Sequence, residues 1–378
     1  MYRMILFDVD GVLLSEERCF DASALSVWEM LHHPKYLGLS GDNYTPDPEE
    51  ETIRRVRREV FVEDRVLDWL KSRGINSNWD MVFLTFTCQL LTLLRRLEEK
   101  RPGRGRDWVV KPIGAEWLKE LGSELRDEGI DFRPSYDDFI PAFSTSRAEK
   151  HELLLHLNRL AGDWLNVQSP AFSRGSALWE LGRSIFQEWY LGEELYRQIE
   201  GEEPRTQGKP GFLHQEIPLA PPEEIRNVLQ QLRDRGIVLG IGTGRPRVET
   251  EVPLRALGLL DAFDPERITT ADEVVLAEAA HPDRAPLGKP DPFTYVKSFL
   301  GLKTPDDQCV HAPLPLPDAD RVLIVGDSVA DLLAARRMGC RFAATLTGLT
   351  GEKARAKFEE LGADYIMKDV TQLTKAIF

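Results

Sequence analysis

Cysteine is scarce and scattered. Its four residues, Cys19, Cys88, Cys309 and Cys340, form no C-x-x-C pair, which excludes a disulfide framework and a thiolate metal knuckle and leaves buried thiols in a reducing compartment. Long apolar runs are missing too. Met81 to Leu94 is interrupted by Thr85, Thr87, Gln89 and Thr92 and meets Arg95-Arg96, short of the roughly 20 apolar residues a membrane span needs, so it reads as a buried helix. No basic, apolar and small-residue leader precedes the first strand, and the cytoplasm is the expected location. Positive charge is in the minority: 48 basic residues face 62 acidic ones, a formal charge of −14. That balance argues against nucleic acid or an anionic membrane as partner and points to a small molecule.

What is present begins at once. Met4-Ile5-Leu6-Phe7 is a short apolar run that ends in Asp8-Val9-Asp10-Gly11, the pattern of a buried strand delivering carboxylates to a sheet edge. For roughly 200 residues thereafter the apolar spacing is helical. Prolines and acids at 45–51 open a helix whose apolar positions Val56, Val60 and Leu67 run on to a stop at Gly74. Asn78 can cap the helix carrying Met81 to Leu97, and further helical patterns occupy 113–128, 146–165 and 174–199. The last carries Leu178, Leu181, Ile185 and Trp189 on one stripe, as helix packing requires.

Gly201 to Gly211 is a polar exit from this helical body. Beyond it, strand candidates at 237–242, 267–270, 321–325, 341–346 and 364–367 alternate with helices, which predicts a parallel sheet. The expected division is an α/β core of 1–16 and 217–378 with a helical insertion of 17–216.

Three further stretches lie at predicted strand ends or βα loops: Gly242-Thr243-Gly244-Arg245-Pro246, Gly288-Lys289-Pro290-Asp291-Pro292 and Gly326-Asp327-Ser328-Val329-Ala330-Asp331. Ligands of open α/β sheets collect outside the carboxyl ends of the strands, so these loops are expected to meet Asp8 and Asp10 in one crevice. The chemistry of such a set is phosphoryl transfer. Asp8 and Asp327 offer hard oxygens suited to Mg²⁺, Lys289 would screen the repulsion between a carboxylate nucleophile and a phosphate, and Thr243 would hydrogen-bond a phosphoryl oxygen. Asp10 stands where a second acid can protonate the leaving group.

Other patterns dissolve on inspection. Gly240, Gly242 and Gly244 suggest a dinucleotide fingerprint, but Arg245 occupies the place of its last glycine. His151-Glu152 with His156 is one residue too long for H-E-x-x-H, and an offset of five turns the second imidazole by about 140°. Asp318-x-Asp320 repeats the acidic pair in a proline-rich loop, so one such pair alone specifies little.

Taken in order, the four stretches resemble the four motifs of the haloacid dehalogenase superfamily, over 1–14 and about 217–378. The resemblance implies a Rossmann-like α/β core with an all-α type 1 cap inserted after the first strand, here much longer than the usual helical bundle. It implies Asp8 as nucleophile and Mg²⁺ ligand, and Asp10 as general acid/base whose main-chain carbonyl also ligates the metal. Thr243, Gly244 and Lys289 then bind the phosphoryl group, Asp327 completes the metal site, and Ser328 and Asp331 support it. A helix-terminal acid favoured by the helix dipole accounts for Asp331 as well. Arg245 stands either against substrate or in a surface salt bridge. The implied activity is a Mg²⁺-dependent phosphatase that acts on a small phosphorylated metabolite through an aspartyl-phosphate. A phosphomutase with the same core, or a non-catalytic binding protein on the same fold, are the alternatives; no motif names the substrate or the oligomeric state.

Overall fold

A computed structural model describes residues 2–75, 77–109, 112–149 and 151–378, without the side chain of residue 151. The chain divides into two compact units, Met1–Glu16 with Leu213–Phe378, and Glu17–Phe212.

The first unit is a parallel sheet of six strands: β1 (Met4–Phe7), β2 (Val238–Gly242), β3 (Ile268–Thr269), β4 (Val322–Gly326), β5 (Arg341–Thr345) and β6 (Tyr365–Met367). Their order is β3-β2-β1-β4-β5-β6, a Rossmann-like arrangement. Every predicted strand is found, although β3 shrinks to two residues. β1 lies at the centre because all four of its residues can be buried on both faces. Alternation sends Ile5 and Phe7 into one apolar layer with Ile225, Leu229 and Leu254, and Met4 and Leu6 into the other with Phe293, Val296 and Leu332.

Register positions the site. Phe7 pairs with Ile241 of β2 and with Val325 of β4. Asp8 therefore leaves β1 level with Gly242 and Gly326, and Thr243 and Asp327 follow one residue later on the two flanking strands. The chain crosses from β1 to β2 on one side and to β4 on the other, so this edge is where an open sheet leaves a crevice.

The second unit is helical, and three long helices, Glu17–His32, Asn78–Lys100 and Ala177–Glu200, carry most of its buried apolar side chains. The stripe Leu178, Leu181, Ile185 and Trp189 is buried throughout, as packing requires. Three expectations need correction. The helix running through Val56 to Leu67 is two helices, Glu50–Val60 and Arg65–Ser72. Val62, Glu63 and Asp64 between them adopt φ of 51, 53 and 62°, a left-handed run that local apolar spacing cannot signal. The turn lets Phe61 and Val66 both be buried, and Arg57 closes it with hydrogen bonds of 3.1 and 2.8 Å to Asp64. Asn78 does not cap its helix; Ser77 does, accepting a bond from the Asp80 amide. The helix expected from 146 begins at His151; residues 146–149 are irregular, and 150 lies outside the described residues.

Helix Ala177–Glu200 bends at Gly192, where φ is 78° and ψ 168°. The bend frees backbone groups that a straight helix would pair. The Glu193 amide donates to the Lys209 carbonyl at 3.0 Å, and the Tyr190 carbonyl accepts from the Phe212 amide at 2.9 Å, so segment 209–212 replaces the lost ladder bonds.

Candidate active site

Asp8 stands at the C-terminal end of β1, where the ladder ends and its side chain turns to the sheet edge. One oxygen, Oδ1, accepts from the Val9 amide at 2.8 Å, and Oδ2 lies 2.8 Å from Lys289 Nζ. The same ammonium lies 2.8 Å from Asp331 Oδ1. Asp331 is fully buried and further held by the Tyr295 hydroxyl at 2.7 Å and the Ser328 hydroxyl at 2.6 Å. Ser328 caps helix Val329–Met338 by accepting the Asp331 amide, and the Asp331 carboxylate answers on the Ser328 amide. The two sequence readings of Asp331 are thus one device, since the acid that closes the helix start also shares Lys289 with Asp8.

Asp327 completes an acidic cluster: carboxylate oxygens of Asp8, Asp327 and Asp331 all lie within 4.8 Å of one another. Two glycines make room for it. A Cβ on either Gly11 or Gly348 would collide with the Asp327 carboxyl. Gly11 also takes a positive φ of 69° in the turn after Asp10, and its carbonyl accepts from Thr345 and Thr347.

The electrostatics of three carboxylates around one ammonium are unbalanced. Burial, with Asp331 and Asp10 adding repulsion against the attraction of Lys289, pushes the Asp8 carboxyl up to about 7. Asp327 is raised well above the usual carboxylate range by burial and by Asp331 and Asp8. Asp331 is lowered: burial opposes ionisation, but Lys289, Ser328 and Tyr295 outweigh it. Lys289 is raised despite its burial because Asp331 and Asp8 flank it. Asp331 is therefore the ion paired with Lys289, and Asp8 and Asp327 are the carboxyls whose ionisation the site opposes. A divalent cation fits this donor set, because hard carboxylate oxygens converge within 4.8 Å of one another and, once ionised, carry more charge than one lysine compensates. The Asp10 side chain is not part of the cluster.

The loop after β2 holds the remaining predicted residues. Thr243 is buried, its amide donates to the Thr269 carbonyl at 3.1 Å, and its hydroxyl oxygen accepts from the Arg245 amide at 3.2 Å. Among the described residues, no atom beyond its chain neighbours lies within 4 Å of where a Gly244 side chain would stand. A surface salt bridge does not describe Arg245. Its side chain is 5% exposed and pairs with Asp10 at 2.6 Å and with the buried Glu216 at 2.9 Å, an arrangement set by a fold-level meeting of distant segments. The structure thus joins Asp8, Lys289, Ser328 and Asp331 in one chain of contacts, places Asp327 beside it, and ties Asp10 to Arg245.

Sequence reasoning missed Tyr295, Glu216 and Gly348. Gly242 was legible as the end of a strand, but its close approach was not: a Cβ there would come within 2.6 Å of the Tyr295 ring. Tyr295 sits inside the apolar helix Phe293–Leu300, where nothing in the spacing distinguishes it from core.

A Rossmann-like sheet with buried acids and a lysine at its C-terminal edge defines the class. A family model for haloacid dehalogenase-like hydrolases matches residues 130–339. An X-ray structure solved as a Northeast Structural Genomics Consortium target is 38% identical and aligns over 100% of this chain and 98% of its own, with a TM-score of 0.88. The chain belongs to the haloacid dehalogenase-like hydrolases. More distant structures include CbbY from Rhodobacter sphaeroides in complex with phosphate, 14% identical over 99% of this chain and 96% of that one at a TM-score of 0.40. A conserved haloacid dehalogenase-like protein of unknown function from Agrobacterium tumefaciens is 12% identical over 100% and 98%, at 0.38. Likenesses this low say nothing about activity. No curated protein matches the chain. No helix among the described residues is long and apolar enough to cross a membrane.

Proposed function

We propose that the chain is a phosphomonoester hydrolase acting on a small phosphorylated metabolite, with Asp8 as nucleophile. The observation that carries this reading is the Asp8–Lys289–Asp331 chain, in which a largely buried lysine ammonium lies 2.8 Å from the carboxylate that would attack. An oxygen of Asp8 forms a bond to phosphorus as the bond to the ester oxygen breaks, and Asp10 delivers a proton to the departing alkoxide. Water then attacks the phosphorus of the aspartyl-phosphate, Asp10 takes its proton, and the bond to Asp8 breaks to release phosphate. Lys289 and Thr243 hold the phosphoryl oxygens through both steps. Asp8, Asp327 and the Asp10 main-chain carbonyl would hold Mg²⁺, which supplies charge neutralisation for the phosphoryl group. Ser328 and Asp331 keep Lys289 in place. The helical unit Glu17–Phe212 would serve as the cap that selects the leaving group and excludes water.

Release of phosphate from an aryl phosphate with Mg²⁺ is the test. The native protein should turn over, and Asp8→Asn should lose about three orders of magnitude or more. No release by the native protein, or equal release by Asp8→Asn, would sink the proposal, and transfer between two positions of a sugar phosphate without free phosphate would mark a phosphomutase instead.

A further inference from the structure

Asp10 and Asp8 are two residues apart, yet their carboxylates engage opposite partners. Asp8 meets Lys289, whereas Asp10 Oδ1 accepts both the Nε and the Nη2 hydrogens of Arg245, at 2.8 and 2.6 Å. A guanidinium and a carboxylate usually meet as two forks, one bond to each oxygen. Here both bonds fall on Oδ1, and Oδ2 makes no hydrogen bond among the described residues. The Asp10 side chain is 31% exposed, and Oδ2 is the oxygen that the arginine leaves unbound.

Arg245 is itself fixed from several directions. Nη1 donates to Glu216 Oε1 at 2.9 Å and to the Glu249 carbonyl at 3.3 Å. Its amide donates to Thr243 Oγ1, and its carbonyl accepts from the Ala271 amide at 2.9 Å. Burying a guanidinium is costly unless its charge is compensated, and Glu216 supplies compensation that does not depend on Asp10. Arg245 can therefore remain ionised and in place whichever hydrogen bonds Asp10 makes during a turnover. The loop that carries Thr243 also carries the arm that reaches Asp10.

We infer that Arg245, anchored by Glu216, is a positioning residue for Asp10: it binds Oδ1 through Nε and Nη2 and so aims Oδ2 at the oxygen that gains or loses a proton. This rests on the phosphatase reading and assigns Arg245 to Asp10 and not to substrate. The proton delivered to an alkoxide leaving group travels through Oδ2, while Oδ1 stays bound to the arginine.

Leaving groups that differ in their need for a proton test the inference. kcat/KM reports the steps up to release of the alcohol, so the rate of aspartyl-phosphate hydrolysis does not mask it. Arg245→Ala should lower kcat/KM about 100-fold or more on an alkyl phosphate, within the range a general acid contributes, and by less than about 10-fold on nitrophenyl phosphate, whose leaving group departs unprotonated. Asp10→Asn should show the same gradation. Added guanidinium should restore the alkyl reaction of Arg245→Ala, and if that variant does not fold, Arg245→Lys should show the gradation in milder form. Losses equal on the two substrates, or no loss, overturn the inference while leaving the phosphatase reading intact. So does a folded Arg245→Ala that guanidinium does not rescue. A native protein inactive on both substrates refutes the phosphatase reading itself.

Discussion

At the scale of the residue, the site depends on a charge imbalance held out of water. Asp327 is one of the two carboxyls whose ionisation the site opposes. Without a divalent cation its ionised form repels Asp8 and Asp331 across less than 4.8 Å. Asp327→Asn should therefore stabilise the metal-free protein at pH 7 by roughly 1–2 kcal/mol while abolishing any Mg²⁺-induced rise in melting temperature, a trade of stability for function. An unchanged Mg²⁺ response would remove Asp327 from the metal site. Lys289 acts in the opposite sense. Lys289→Met leaves Asp8 and Asp331 without their shared counter-charge, and a loss of about 3–5 kcal/mol in urea unfolding is expected; a loss under about 1 kcal/mol would mean that the two carboxylates are compensated elsewhere. The sequence identified Asp8, Lys289 and Asp331 from their motif positions. It could not identify Tyr295 or Glu216, because each joins the site through a side chain whose own segment reads as ordinary helix or loop.

At the scale of the element, strands were legible and bends were not. β1, β2, β4, β5 and β6 were found to within a residue or two because buried parallel strands are short apolar runs between turn residues. The left-handed turn at Val62–Asp64 and the bend at Gly192 left no mark on apolar periodicity, which reports which face is buried and not whether the axis is straight. The Gly192 bend also yields a prediction. A Cβ there would stand 2.5 Å from the Pro210 carbonyl oxygen and 2.9 Å from Gly211 Cα, in a backbone region that L-residues avoid. Gly192→Ala should cost the helical unit about 2–4 kcal/mol through strain and lost contact with segment 209–212. Calorimetry would decide: a melting temperature within a degree of the native value would show that the bend can straighten.

At the scale of the molecule, the acids of one site set how stability follows pH. Asp8 is raised from 3.8 to about 7, so the folded chain binds that proton more tightly than the unfolded chain. Stability from this source is complete below about pH 4 and is lost as pH rises through 7, at about 1.4 kcal/mol per pH unit for each group that titrates so. The melting temperature of the metal-free protein should accordingly fall between about pH 4 and 7, and the increment produced by Mg²⁺ should grow over the same window. Melting curves with Mg²⁺ and with a chelator measure it. A Mg²⁺ increment that is flat with pH would show that the cation does not bind at Asp8 and Asp327.

Residue order alone was enough to place two carboxylates at a sheet edge, since the apolar run before Asp8 and Asp10 reads as a buried strand that ends in them. The same order predicted a parallel sheet and four loops converging on one edge, because those features follow from local burial and turn propensity. Which carboxylate faces which cation was decided only by tertiary packing. Lys289 sits between Asp8 and Asp331, and Arg245 sits between Asp10 and Glu216, because strand register and helix placement bring Asp10 to an arginine 235 residues away and Asp8 to a lysine farther still along the chain. Their mutual electrostatics depend on distance and burial, quantities that residue spacing along a chain does not contain.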